Sequence, residues 1–238
     1  MPEQNLADRE AQAPVWGNFD ANLEFLKRFA AVLKGRLNIL EIGCGKGMLL
    51  NSLHILGHNV TGIDLDAGAI AACRATFTGV DARVGSGDSL EFPAESFDVV
   101  LSFDVFEHIR DSDRHLHEVM RVLKPNGVYL LQTPNKWTNV PFEILRHWRK
   151  YRMGVLAAYR ELLTDHCSLH NYWELRRRFA NNGFGTTFVD IPVVNEHFRA
   201  KMRTYFGVFA GVLLALFNPD RFPRPLRTNF YLKADRMR

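Results

Sequence analysis

Apolar positions follow two alternating rhythms along the chain. "LNILEI", residues 37–42, is a short unbroken run suited to a strand buried on both faces, whereas Leu49, Leu50, Leu53 and Leu56 fall on one side of a helix from Met48 that Gly57 would stop. The couple then repeats. Val60 to Asp64 predicts a strand, "DAGAIAACRATF" a helix capped by Asp66, "ARV" a third strand, and Phe97 to Phe103 a fourth. "DSDRHLHEVMRVLKPNG" keeps Leu116, Val119, Met120 and Leu123 at helical spacing and is ended by Pro125 to Gly127, after which "VYLLQT" predicts a fifth strand. "NYWELRRRFANNGF" predicts a helix with Asn171 and Glu174 as a capping box, running into a strand-like "GTTFVDIPVV". "NFYLKA" alternates as a last strand. Strands separated by single helices pair in parallel through right-handed crossovers, so the pattern predicts a doubly wound α/β sheet.

With 238 residues, 47% of them apolar, the chain can bury one sizeable core, and a single domain over 1–238 is expected. Cys44, Cys73 and Cys167 are odd in number and widely spread, which predicts free thiols in a reducing cytosol rather than a disulfide framework or a zinc site. "MPEQNLADREAQAPVW" lacks the basic and apolar blocks of a secretory signal, so the expected location is cytoplasmic. The longest uncharged apolar run, Tyr205 to Phe217, is 13 residues, short of the roughly 20 that span a bilayer. Charge is uneven. Residues 197–238 carry nine Lys/Arg against two Asp, and "RHWRKYR" adds Arg146, His147, Arg149, Lys150 and Arg152. These clusters read either as solvated helix faces or as contacts for an anionic substrate or membrane surface.

The most specific chemistry lies in "ILEIGCGKGMLLNSL", residues 39–53, where Gly43, Gly45 and Gly47 occupy the junction between the first strand and the first helix. Sheets of this kind bind nucleotides there. The spacing misses the G-x-G-x-x-G of a dinucleotide site, and Glu41 would repel a pyrophosphate, which together oppose a nicotinamide oxidoreductase. The run fits E-x-G-x-G-x-G, and with its "LEIGCGKG" core it resembles the class I S-adenosylmethionine-dependent methyltransferases. That resemblance implies a seven-stranded sheet in the order 3-2-1-4-5-7-6 with the last strand antiparallel, and S-adenosylmethionine as cofactor. Glu41 would attract the cofactor's amino-acid end, with Gly43, Cys44 and Gly45 in the turn beneath it. Asp64, in "VTGIDLD", would take the ribose hydroxyls, with Leu65 beside it. "GSGDSLEFP" is similar to the family's adenine segment, where Asp88 would accept from the adenine amino group and the Ser89 amide would face the ring. Phe103 and Asp104, in "FDVVLSFDVFEHI", would border the methionine end.

For the acceptor, the residues offer His108, after the fourth strand, and His166, in "HCSLHNYWEL", as groups able to take a hydroxyl proton near neutral pH or to serve structurally. The Asn-Pro-Pro-Tyr run of base-methylating relatives is replaced by "SFDVFEHI", so nucleic acid is not the expected partner. No closely spaced cysteines or clustered Asp/Asn are present, and no metal is expected. Two variable segments, about 137–170 and 196–226, carry the substrate clues. The first holds Trp137, Phe142, Trp148 and Tyr151, and near the N-terminus Trp16 and Phe19 are placed to close over the cofactor or to anchor a helix. In the second, Phe198, Met202, Tyr205, Phe209, Val212 and Leu216 form one stripe of a helix over 198–217, a core or dimer element or else a lid making peripheral membrane contact. The expected reaction is methyl transfer to a small or lipid-linked acceptor at a hydroxyl oxygen. Nitrogen or carbon as the acceptor atom, and a non-catalytic cofactor-binding scaffold, stay open, as does the oligomeric state.

Overall fold

The structure, a computed structural model, describes residues 18–29, 34–141 and 166–237, together with 144, 154, 157, 159, 160 and 164. The expectations for Trp16, Phe142, Trp148, Tyr151 and the "RHWRKYR" cluster lie outside the described residues. Seven strands form one sheet: β1 (Asn38–Ile42), β2 (Asn59–Asp64), β3 (Asp81–Val84), β4 (Phe97–Phe103), β5 (Leu123–Pro134), β6 (Phe184–Val189) and β7 (Asn229–Arg236). Their order is β3-β2-β1-β4-β5-β7-β6, with the first five parallel and β7 antiparallel to both neighbours.

Helices cover both faces, which is why the central strands are apolar without alternation. On one side, α1 (Phe19–Arg28), α2 (Met48–Ile55) and α3 (Ala67–Thr76) pack Phe25, Leu50, Leu53 and Ile70 against Ile39, Val99, Leu101 and Leu130. On the other, α4 (Ser112–Val122) and α5 (Tyr172–Asn181) pack Leu116, Val119, Leu175 and Phe179 against Leu40, Val100, Tyr129 and Leu131. The start of α5 is the expected capping box: the Asn171 side chain accepts from the Trp173 and Glu174 amides, both at 3.0 Å, while Glu174 Oε2 accepts from the Asn171 amide at 3.0 Å. Asn171→Ala is expected to lower stability by about 1 kcal/mol in urea unfolding, with an unchanged denaturant slope.

Three boundaries differ from the sequence pattern. α4 ends at Val122 and the chain turns extended at once, because Leu123 pairs with Phe97 across the sheet and Pro125 cannot prolong a helix. β6 stops at Val189, short of the predicted "GTTFVDIPVV". The amides of Val193 and Val194 donate instead to the Asp220 carboxylate, at 2.8 and 3.1 Å. The helix expected over 198–217 is two helices, α6 (Glu196–Phe206) and α7 (Ala210–Leu216), separated by a 3-10 turn at Gly207–Phe209. Gly207 adopts φ +56°, ψ −133°, a conformation side chains oppose, and the break divides the single stripe. Phe198 and Met202 face inward, Phe209, Val212 and Leu216 stand exposed, and the Tyr205 side chain is outside the described residues.

Candidate active site

β1 runs into the glycine turn at the carboxyl edge of the sheet. The amides of Gly43 and Cys44 both donate to the Ile63 carbonyl, at 2.8 and 3.0 Å, which ties the turn to β2. Gly43 has φ +75°, and a Cβ there would lie 2.1 Å from Val105 Cγ2, so only hydrogen fits. The Gly45 amide donates to Asp64 Oδ2 at 2.8 Å, and Asp64 Oδ1 accepts from the Asp66 amide at 2.9 Å. The acid at the end of β2 is thus oriented by main chain from two loops.

A cavity of about 1350 Å³ opens above this edge. Of the residues singled out from the sequence, Glu41, Gly43, Cys44, Gly45, Asp64, Leu65, Asp88, Phe103, His108 and His166 all line it. Ser89 does not. Its amide turns back to the Ser86 carbonyl at 3.3 Å, so the loop presents Gly85 to Asp88 in its place. Phe19 also lines the cavity, from the first turn of α1.

Glu41 sets the electrostatics of the floor. It is buried, Oε2 has no hydrogen-bond partner among the described residues, and burial together with the nearby Asp64 charge pushes its pKa up to about 8. Burial, then Glu41 and Asp64, push the Cys44 thiol up, so it does not supply a thiolate. A buried carboxyl with an unanswered oxygen beside a second carboxylate fits a ligand that brings positive charge, and the bare Cα of Gly43 fits a ligand lying against main chain. Leu65, 74% exposed, offers an apolar side chain at the cavity rim. The Ser86 hydroxyl donates to Asp88 Oδ1 and holds it in place.

At the other end, Asp104 sits at φ +54°, a strained conformation for a residue with a side chain. Its amide donates to Gln132 Oε1 at 2.8 Å, and its carboxylate accepts from Asn18 Nδ2 at 2.8 and 3.1 Å. Asn18 accepts in turn from Asn229 Nδ2 at 3.0 Å, which draws the start of α1 over the cavity. Beyond Asp104, a 3-10 turn at Phe106–His108 carries Glu107, buried and accepting from Thr133 Oγ1 at 3.0 Å. The rings of His108 and His166 lie 4.9 Å apart, centroid to centroid. Three ties place the His166 loop here: the Ser168 amide to the Glu107 carbonyl at 2.8 Å, Cys167 Sγ to the His108 carbonyl at 3.3 Å, and Ser168 to Ser112 through their hydroxyls.

Asn18, Asn22 and Glu107, which the sequence pattern does not single out, also line the cavity, and His115 supports it. His115 is buried, with its pKa lowered to about 4 by that burial, and bridges the Gly87 carbonyl and the Tyr129 hydroxyl at 2.7 and 2.9 Å. The one local signal for Glu107 is its place between the apolar Phe106 and Ile109, next to His108, where burial of an acid requires a partner.

Comparison with known proteins decides the family. The family described as "methyltransferase domain" matches residues 16–187. The chain belongs to the class I S-adenosylmethionine-dependent methyltransferases. A Mycolicibacterium smegmatis protein named as an S-adenosylmethionine-dependent methyltransferase is 39% identical over 115 residues, 48% of this chain and 44% of that one. The ubiquinone biosynthesis O-methyltransferase of Nitrobacter winogradskyi is 30% identical over 179 residues, 71% of this chain and 62% of its own length. The chain therefore spans about two-fifths to three-fifths of the length of these relatives. In fold it superposes, with a TM-score of 0.67 and 18% identity over 93% of each chain, on the methyltransferase solved with the Haloferax volcanii Trm112 activator. The family's cofactor is S-adenosylmethionine, in keeping with the acid and bare glycine turn of the cavity floor.

Proposed function

We propose that this methyltransferase transfers the methyl group of S-adenosylmethionine to a hydroxyl oxygen on an acceptor with a long apolar portion, a lipid-linked molecule. The observation that carries this reading is the continuity of one cavity from the glycine turn, past His108 and His166, to an apolar wall made by Phe198, Met202, Phe206, Leu214 and Phe217. A scaffold that only held the cofactor would have this space filled. Oxygen is favoured over nitrogen or carbon by the paired imidazoles and by the relative named as an O-methyltransferase.

The cofactor supplies a methyl group already activated on a sulfonium, so the protein must bind, align and exclude water. Glu41 would hold the ammonium, Asp64 the ribose hydroxyls and Asp88 the adenine amino group, with Leu65 and Phe103 packing on the apolar surfaces. The segment Gly85 to Asp88 would face the adenine in place of Ser89. Phe19, Asn18 and Asn22 would shield the reacting end from water, and His108 or His166 would accept the hydroxyl proton.

The outer side of the α6–α7 pair supports delivery from a membrane surface. No helix among the described residues is long and apolar enough to cross a bilayer. Val208 is 90% exposed, and Phe209, Val212 and Leu216 are exposed as well. Exposed Arg199, Arg203, Arg221 and Arg224 flank this stretch in sequence, Arg203 pairing with Glu196 and Arg224 with Asp190. Basic residues near an anionic surface contribute about 1 kcal/mol each and are screened by salt.

The test pairs two assays. With labelled cofactor, a phenol carrying an isoprenoid tail should form a methyl ether with kcat/KM at least about tenfold above its tail-less head group, a 1.4 kcal/mol effect. In flotation, anionic vesicles should bind the protein at low salt and release it at high salt, and Phe209→Ser with Leu216→Ser should abolish this without altering S-adenosylhomocysteine affinity. Tight S-adenosylhomocysteine binding without methylation of any oxygen, nitrogen or carbon acceptor would establish the scaffold instead.

A further inference from the structure

We infer that Glu107, His108 and His166 form a site for a divalent transition-metal cation at the acceptor end of the cavity, an inference that rests on the methyl-transfer reading above. One donor atom from each residue lies within 4.8 Å of the other two, and all three residues line the cavity. Donors that share an ion at about 2.0 to 2.2 Å stand roughly 3 to 4 Å apart, so small side-chain rotations close the triangle.

The placement is built rather than incidental. Glu107 is only 2% exposed, and the Thr133 hydroxyl that donates to its Oε2 fixes how the carboxylate presents itself. Groups of this kind behind a ligand orient it and raise metal affinity. The His166 loop is fastened to the Phe106–His108 turn, which carries the other two donors, by the Ser168 amide and the Cys167 thiol, and to the start of α4 by the Ser112–Ser168 hydroxyl contact. Two imidazoles and one carboxylate suit zinc, manganese or cobalt, whereas magnesium and calcium prefer oxygen donors throughout. Three protein donors leave coordination positions open towards the cavity, as catalytic sites do.

An acceptor hydroxyl entering an open position would become more acidic. Its O–H bond breaks, the electron pair stays on the oxygen, and the proton passes to water, with no change of oxidation state anywhere. With the ion bound, the imidazoles serve as neutral ligands and the proton-accepting role assigned to them passes to solvent.

The test uses the full chain, freed of metal by chelator and dialysis, and titrated calorimetrically with Zn²⁺ and separately with Mn²⁺, with neither cofactor nor acceptor present. One equivalent should bind. His108→Ala and His166→Ala should each weaken that binding by roughly 10- to 100-fold, and Glu107→Gln by a similar factor, while the exposed His117→Ala should leave it unchanged. A melting shift with S-adenosylhomocysteine confirms that each variant is folded. Should Glu107→Gln fail to fold, the exposed His108→Ala carries the test. In the Mn²⁺ complex, the electron paramagnetic resonance spectrum should change on adding the tailed phenol. Absence of binding at millimolar Zn²⁺ and Mn²⁺, or equal affinity in the wild type and His108→Ala, overturns the site. Methylation at full rate by demonstrably metal-free protein overturns it too, yet leaves the methyl-transfer reading standing. An ion that binds as described in a protein inert towards every acceptor sustains the site and removes that reading.

Discussion

Replacing Gly43 with alanine is expected to destabilise the protein by about 2 to 5 kcal/mol and to remove measurable S-adenosylhomocysteine binding. Two separate costs add. An alanine held at φ +75° pays about 1 to 2 kcal/mol in backbone strain, and a Cβ 2.1 Å from Val105 Cγ2 forces an overpacking shift of about 1 to 3 kcal/mol. The turn cannot yield easily, because the Gly43 and Cys44 amides are both fixed to the Ile63 carbonyl. Urea unfolding of Gly43→Ala and of Gly43→Ala with Val105→Ala separates the two, since the second change removes the blocking methyl and leaves the strain. Gly45→Ala supplies the contrast: at φ +50° a Cβ there meets nothing within 4 Å, so it should show strain alone. Wild-type stability for Gly43→Ala would mean that the turn is loose.

The second large effect concerns Glu41. An ordinary glutamate titrates near 4.5, and here burial and Asp64 push the value up to about 8. Between these values the folded state binds a proton that the unfolded state has lost, so Glu41's contribution to stability is full below pH 4.5 and declines as pH rises to about 8. The integrated loss is on the order of 4 to 5 kcal/mol. Glu41→Gln should flatten this stretch of the pH profile, making the ligand-free variant the more stable protein at pH 8 and above. Ligand binding has the opposite linkage. An ammonium group placed beside Glu41 favours the carboxylate, so S-adenosylhomocysteine should bind near pH 7 with release of close to one proton. Calorimetry in buffers of different ionisation enthalpy reads that number, and a value of zero would remove Glu41 from contact with the ligand's charge.

Much of this architecture was legible because it depends on short-range rules. The glycine turn, the strand-end Asp64 and the Asn171–Glu174 box each need only a few neighbouring residues to be recognised, and the strand order followed from family resemblance. What the sequence hid was either long-range or broken by one backbone angle. Gly207 lies within an apolar run whose periodicity reads straight through it, and only its positive φ reveals that two helices turn different faces inward. Asn18 gives no local hint of its bond to Asp104, and the Ser89 amide, expected at the cavity, turns onto the Ser86 carbonyl instead. His108 and His166 were found singly, whereas their meeting around Glu107 is a tertiary fact made by the ties between two loops.

One rung of the sheet bears on how such an enzyme changes its acceptor. Val189, the last residue of β6, is the register partner of Tyr231 in β7, so the chain between them leaves the sheet and returns to it at one place. Ile191 and Val193, at its start, stay in the core cluster, whereas residues 195–226 are to the scaffold a graft on a hairpin. The chain-closure entropy of a flexible connection grows slowly, by about 0.6 kcal/mol for each doubling of its length. Lineages and engineers alike can therefore lengthen, trim or exchange the lid over the acceptor while the parallel half of the sheet, with its glycine turn and Asp64, goes on folding as before. A library confined to residues 195–226, screened first for retained S-adenosylhomocysteine binding, would explore new acceptors from a fixed methyl-donor platform.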